Sequence, residues 1–218
     1  MAIGGRAGKR FSNKMIKIVL LHREIIIYRC PAVLTFPVKD GILGPKKGGM
    51  PVKTQTIVLC ALFAALMAVC AWISVPLGPI AVTMQTFGLF LTLGILGGRR
   101  SVAVMTGYLA LGAIGLPVFS GFRGGIGMLL GPTGGFVWGF ILTALLYPCL
   151  QRRLPEWIAM ALSLLGCYAC GTVWFALRYG GSAPAILAAC VLPYLIPDAL
   201  KLLLARQLTR RLKHFLRE

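Results

Sequence analysis

Few residues in this sequence are equipped for chemistry inside an apolar setting. From Met50 onward there are three acids, Glu156, Asp198 and Glu218, and only Asp198 stands within an apolar run. Lys201 follows three positions later, so on a helix the two side chains share a face. An ionisable pair in such a run is costly unless it is paired or lines a cavity. Two readings stay open. The pair is a structural ion pair with Asp198 capping a helix, or it is a small-molecule site that offers an acceptor beside a donor. Pro193 and Pro197 bear on the choice, because proline suits a first helical turn and opposes a continuing one. The expectation is a helix that breaks over Pro193–Pro197 and restarts at Asp198. That arrangement leaves free backbone N–H groups and a positive dipole end beside the acid.

Other chemistries lack their parts. The two histidines, His22 and His214, stand outside the apolar runs, and no His/Cys/carboxylate cluster has metal-ligand spacing. No Ser–His–Asp set can be assembled in the apolar region. No Gly-Lys-Ser/Thr follows a glycine run, and GIGMLLG misses the dinucleotide spacing. Cys167 and Cys170 form a CxxC with no supporting histidine or second pair, which reads as helix packing. The expectation is a chain that is not an enzyme and uses no metal or cofactor.

The elements that must hold Asp198 and Lys201 follow from composition. The chain has 218 residues, 58% hydrophobic and 13% charged, which points to the bilayer as its solvent. A net charge of +18 on a soluble protein would suggest nucleic acid. Here ten of the 23 Lys and Arg fall in residues 1–49, and most others sit at the ends of apolar runs, which is a topology signal. No nucleic-acid partner is expected; membrane lipid is. Residues 1–49 contain no spanning run and no clear cleavage signal, and read as a dispensable basic extension, with the six-helix membrane domain over residues 50–218.

Six apolar segments are expected: Thr56–Val75, Ile80–Leu96, Ser101–Leu116, Thr133–Leu150, Trp157–Leu177 and Ala183–Arg206. Basic residues alternate from one connection to the next. Gly97–Arg100, Gln151–Arg153 and the stretch from Arg206 to Arg217 are basic, while the other connections are nearly uncharged. The fold class expected is therefore an all-α integral membrane protein with six transmembrane helices and both termini cytoplasmic, in a multi-pass plasma-membrane setting.

The connection 115–136, GLPVFSGFRGGIGMLLGPTGGF, has eight glycines, two prolines and one charge, Arg123, in 22 residues. It is too glycine-rich for a stable helix and too apolar for an ordinary surface loop. It reads as an external lid, with Phe119 and Phe122 giving apolar cover and Arg123 meeting an anionic group. In the first segment, Ala61 and Ala65, and likewise Ala64 and Ala68, have the four-residue spacing that lets a membrane helix approach closely.

The stretch VTMQTFGLFLTLGILGGRRSVAVMTGYLALGAIGLPVFSGFRGGIGMLLGPTGGFVWGF (Val82–Phe140), with LPYLIPDALK (Leu192–Lys201), resembles the BioY family over about residues 52–212. The resemblance implies the biotin-binding S component of an energy-coupling-factor transporter. Biotin is then the transported ligand, and the partners are a transmembrane coupling protein and two cytoplasmic ATPases. It implies that Asp198 and Lys201 bind biotin and that Ala61 and Ala65 contact the coupling protein. The expected binding set also takes in Arg123, Gln85, Phe119, Gly124, Gly125 and Tyr194. Which cation meets the biotin carboxylate stays open. The alternatives are an S component for another small acid such as lipoate, or an autonomous secondary transporter.

Overall fold

A computed structural model describes residues 52–75, 80–180 and 183–215, all within the unit Val38–Glu218. The expected extension, residues 1–49, lies outside the described residues. The described chain is mostly helical: α1 (Val52–Trp72), α2 (Gln85–Leu96), α3 (Gly98–Ala113), α4 (Ile126–Leu129), α5 (Gly134–Leu150), α6 (Glu156–Tyr179), α7 (Ala183–Cys190) and α8 (Leu192–Phe215). Two short strands, β1 (Ser74–Val75) and β2 (Val82–Thr83), pair antiparallel between α1 and α2.

Among the described residues, three helical stretches are long and apolar enough to cross a membrane: Thr54–Trp72, Glu156–Tyr179 and Pro184–His214. Gln85–Leu96 and Gly134–Leu150 are shorter apolar helices. In α1 the buried face carries Phe63, Ala64, Met67, Ala68 and Ala71, at helical spacing. The opposite face is apolar too, with Ile57, Leu62 and Val69 exposed. A helix apolar on both sides meets packed protein on one and lipid on the other.

The second expected segment splits. Val82 and Thr83 pair with Val75 and Ser74, and Met84 N donates to the Ile73 carbonyl at 3.0 Å, so the chain enters α2 directly from the strand pair. The helix itself has 12 residues, about 18 Å of rise, and is buried from Gly88 to Leu96. It is the central rod of the described bundle, packed against α1, α3 and most extensively α8. The most extensive helix–helix contact is that of α5 with α6. Glycines set that approach: a Cβ on Gly139 would lie 2.8 Å from Cys167 Sγ and 2.9 Å from its Cα.

Connections gather at two ends. At one, Lys213 Nζ meets Glu156 Oε1 at 2.8 Å, Arg206 stacks over Trp157 at 5.5 Å, and Gly98 packs against Pro148 so closely that a Cβ on it would lie 2.7 Å from the proline Cβ. The basic connections 97–100 and 151–153 and the end of α8 therefore share this end. The glycine-rich connection occupies the other. Its stem is held by Trp72, whose indole N–H donates to Pro117 O at 2.8 Å. Its far side is held by Trp174 and Arg178, donating to Gly131 O at 3.0 Å and Leu130 O at 2.7 Å. Although glycine-rich, this stretch contains the single-turn helix α4, and its tip closes through Phe119 N to Arg123 O at 2.9 Å.

Candidate functional site: a buried acid–amine pair beside a cavity

The helix bearing Asp198 starts earlier than expected. The break falls at Val191, whose carbonyl accepts from Tyr194 N and Leu195 N, and α8 begins at Leu192. Pro193 thus occupies the first turn, where its missing N–H costs nothing, and Pro197 lies inside the helix. Asp198 is one turn further in, so a helix dipole end is not its partner. Neither does it cap the helix: its carboxylate is held by side chains.

Those side chains come from three helices. Lys201 Nζ lies 2.8 Å from Asp198 Oδ1, with the side chains 8% and 5% exposed respectively. From α2, Thr86 Oγ1 donates to the same oxygen at 2.7 Å. From α6, Tyr168 OH donates to Asp198 Oδ2 at 2.6 Å. Lys201 also donates to the Thr83 carbonyl at 2.7 Å and to Thr86 Oγ1 at 3.2 Å, so all three of its N–H groups have acceptors. A buried ion pair supported this way avoids the penalty of an unpaired charge, which is several kcal/mol.

The pair does not close on itself. It forms part of the wall of a cavity of about 500 Å³, within the roughly 300–1,000 Å³ of small-molecule sites. Phe119, Phe136, Val137, Phe140 and Leu164 supply an apolar wall. Gln85, Tyr194 and Arg123 also line it. Gln85 is buried and already engaged, donating to Tyr108 OH at 2.7 Å and accepting from Thr83 Oγ1 at 2.9 Å. Tyr108 in turn donates to Val118 O at 2.8 Å, tying the cavity floor to the glycine-rich loop. Tyr194 OH donates to the Ile80 carbonyl. Arg123 is exposed at the rim.

Of the residues expected to bind, Asp198, Lys201, Gln85, Phe119, Arg123 and Tyr194 converge on the cavity. Gly124 and Gly125 do not line it. A Cβ on Gly124 would strike the Leu116 carbonyl, and Gly125 precedes α4 at φ 93°, so backbone conformation accounts for both glycines. Phe122 also points elsewhere: it stacks on Trp72 at 4.9 Å, with φ 56°. Ala61 and Ala65 lie on the exposed face of α1, whereas Ala64 and Ala68 are buried against the bundle. Cys167 and Cys170 are free thiols, and Cys167 packs against α5. Sequence reasoning missed Thr83, Thr86, Tyr108 and Tyr168, the uncharged polar frame of the site.

The family model described as the BioY family matches residues 44–218. The chain belongs to the BioY family. Within it, the chain is 37% identical over 164 residues to the biotin transporter BioY of Thermotoga maritima, covering 73% of this chain and 96% of that protein. It is 37% identical over 161 residues to the probable biotin transporter BioY of Pyrococcus horikoshii, covering 74% and 98%. The described fold is similar to a solved S component for biotin from an ECF-type ABC transporter, with TM-score 0.70 and 24% identity, covering 76% of this chain and 95% of that one.

Proposed function

We propose that this BioY-family chain is the biotin-capturing membrane subunit, the S component, of an ATP-driven energy-coupling-factor transporter. One observation carries the reading: the buried Asp198–Lys201 pair opens onto a cavity sized for a small molecule, in a chain whose family relatives are named biotin transporters. The chain binds and delivers; it is not an enzyme.

Biotin has an apolar bicyclic body, a ureido group with two N–H donors and an acceptor oxygen, and a carboxylate tail. The wall of Phe119, Phe136, Val137, Phe140 and Leu164 suits the body. Asp198 accepts a ureido N–H, a charge-assisted hydrogen bond strengthened by exclusion of water. Arg123, exposed at the rim, meets the carboxylate, and Lys201, buried on the floor, faces the ring end. Lipoate shares the carboxylate but has no N–H to offer Asp198.

Six spans with both termini cytoplasmic and the glycine-rich loop outside fit the gathering of basic connections at one end of the bundle. In that orientation the cavity faces the exterior beneath the loop, in the plasma membrane. The partners are a transmembrane coupling protein, docking on α1 at Ala61 and Ala65, and two cytoplasmic ATPases. Residues 1–49 are dispensable for insertion and binding. Uptake of labelled biotin by cells carrying this chain with and without the coupling and ATPase subunits tests the assignment. Uptake should need them, and vigorous uptake into proteoliposomes holding this chain alone would defeat it.

A further inference from the structure

We infer that Tyr168 is a positioning residue for ligand selection, holding the Asp198 carboxylate so that one acceptor position faces the cavity. The inference rests on the biotin-binding reading above and assigns its specificity to a residue outside the acid–amine pair.

The two oxygens of Asp198 are not equivalent. Oδ1 receives Thr86 at 2.7 Å and Lys201 at 2.8 Å, which fills its two lone pairs. Oδ2 receives Tyr168 at 2.6 Å and no other donor among the described residues. One lone pair of Oδ2 is left. Asp198 and Tyr168 both line the cavity, and both are buried, at 4% and 7% exposure. A carboxylate on α8 can turn about its last torsion, which is broad for this side chain. Thr86 from α2 and Tyr168 from α6 hold it from two sides, so neither oxygen can exchange places with the other.

The chemical consequence is selection by a single unfilled acceptor. A ligand that presents an N–H there completes the carboxylate. One that presents a methyl group or an ether oxygen leaves that position of a buried carboxylate unfilled, and a site built to receive an N–H rejects an analogue that lacks it. Without Tyr168 the carboxylate can rotate, and Oδ2 gains a second open position. Both the fit and the discrimination then weaken, while the ion pair with Lys201 remains.

The test uses the full-length chain in detergent or nanodiscs, with biotin and with biotin methylated on each ureido nitrogen in turn. The parent chain should reject at least one methylated form. Tyr168→Phe should weaken biotin about tenfold and narrow that rejection by a similar factor, while the ligand-free protein still folds, with a lower melting temperature because a buried charge-assisted bond is lost. In an Asp198→Asn background the same substitution should cost less than about twofold, since the group it orients has gone. Unchanged biotin affinity in Tyr168→Phe, multiplied losses in the double variant, or equal acceptance of both methylated forms by the parent overturns the inference. If Tyr168→Phe does not fold, Thr86→Val and Thr86→Ser replace it. Serine should keep the discrimination and valine lose it; valine behaving like the parent overturns the proposal. Failure of the parent chain to bind biotin at all would instead remove the underlying reading.

Discussion

Substituting Asp198 by asparagine separates the site's two jobs, holding the bundle and holding the ligand. The carboxylate accepts from Thr86, Lys201 and Tyr168. Asparagine keeps one acceptor oxygen for Thr86 and Lys201 but turns an amide NH₂ toward Tyr168, whose hydroxyl must then turn to accept where it had donated. Lys201, 8% exposed along its side chain, keeps hydrogen-bond acceptors in that amide oxygen, the Thr83 carbonyl and Thr86, but loses its counter-charge. Breaking a buried pair by removing one partner costs about 3–5 kcal/mol of stability. The lost charge-assisted bond to ligand is worth about 1.5–3 kcal/mol, or roughly ten- to a hundredfold in affinity. Both effects follow from one substitution, so a second variant is needed. Asp198→Asn with Lys201→Met removes both charges and should recover part of the melting temperature, because no unpaired cation remains. Biotin affinity should not recover. Thermal unfolding and titration calorimetry on purified protein read the two quantities separately. Parent-like biotin affinity in Asp198→Asn, or binding restored together with stability in the double variant, would show that the acid serves the fold alone.

Three further outcomes follow from the same geometry. Ala61→Trp or Ala65→Trp on the exposed face of α1 should leave biotin binding within about twofold and abolish transport, whereas Ala64→Trp, on the buried face, should cost folding; a binding assay beside an uptake assay separates them. Trp72→Ala should release Pro117 and unstack Phe122, speeding biotin dissociation several-fold, and a dissociation rate equal to the parent's would mean that the loop is no lid. Gly139→Val should destabilise the α5–α6 contact by about 1–3 kcal/mol, seen as a lower melting temperature, since its Cβ would meet Cys167 at 2.8 Å.

The charged half of the site was legible because charge in an apolar run is rare and expensive. Asp198 and Lys201 stood out for that reason alone, and their 2.8 Å contact on α8 shows that they share a face. Their polar frame was hidden by its chemistry. Thr83 and Thr86 flank the expected Gln85 within four residues where the chain enters a buried helix, a clustering that signals a polar pocket only once that helix is known to be central. Tyr168 was masked by the CxxC around it, which drew the eye to sulfur while the hydroxyl did the bonding. Placing the restart of the last helix at Asp198 failed for a local reason. Two prolines four residues apart both mark a helix start, and the Val191 carbonyl, invisible to such a pattern, decides between them. The second apolar run failed differently. Its length suggested one membrane helix, but cross-strand pairing with Ser74 and Val75 claimed its first residues. Glycines were easier to notice than to interpret: Gly124 and Gly125 serve the loop's own backbone rather than the cavity.

The most direct measurement is an equilibrium binding isotherm for biotin, lipoate and thiamine on the purified full-length chain with no partner subunit present. Saturable one-site binding of biotin is expected, with lipoate weaker by about ten- to a hundredfold because it offers no N–H to the remaining acceptor position of Asp198, and no thiamine binding, since a cationic vitamin carries no carboxylate for Arg123. Equal affinity for biotin and lipoate, or no biotin binding by a folded chain, would contradict it.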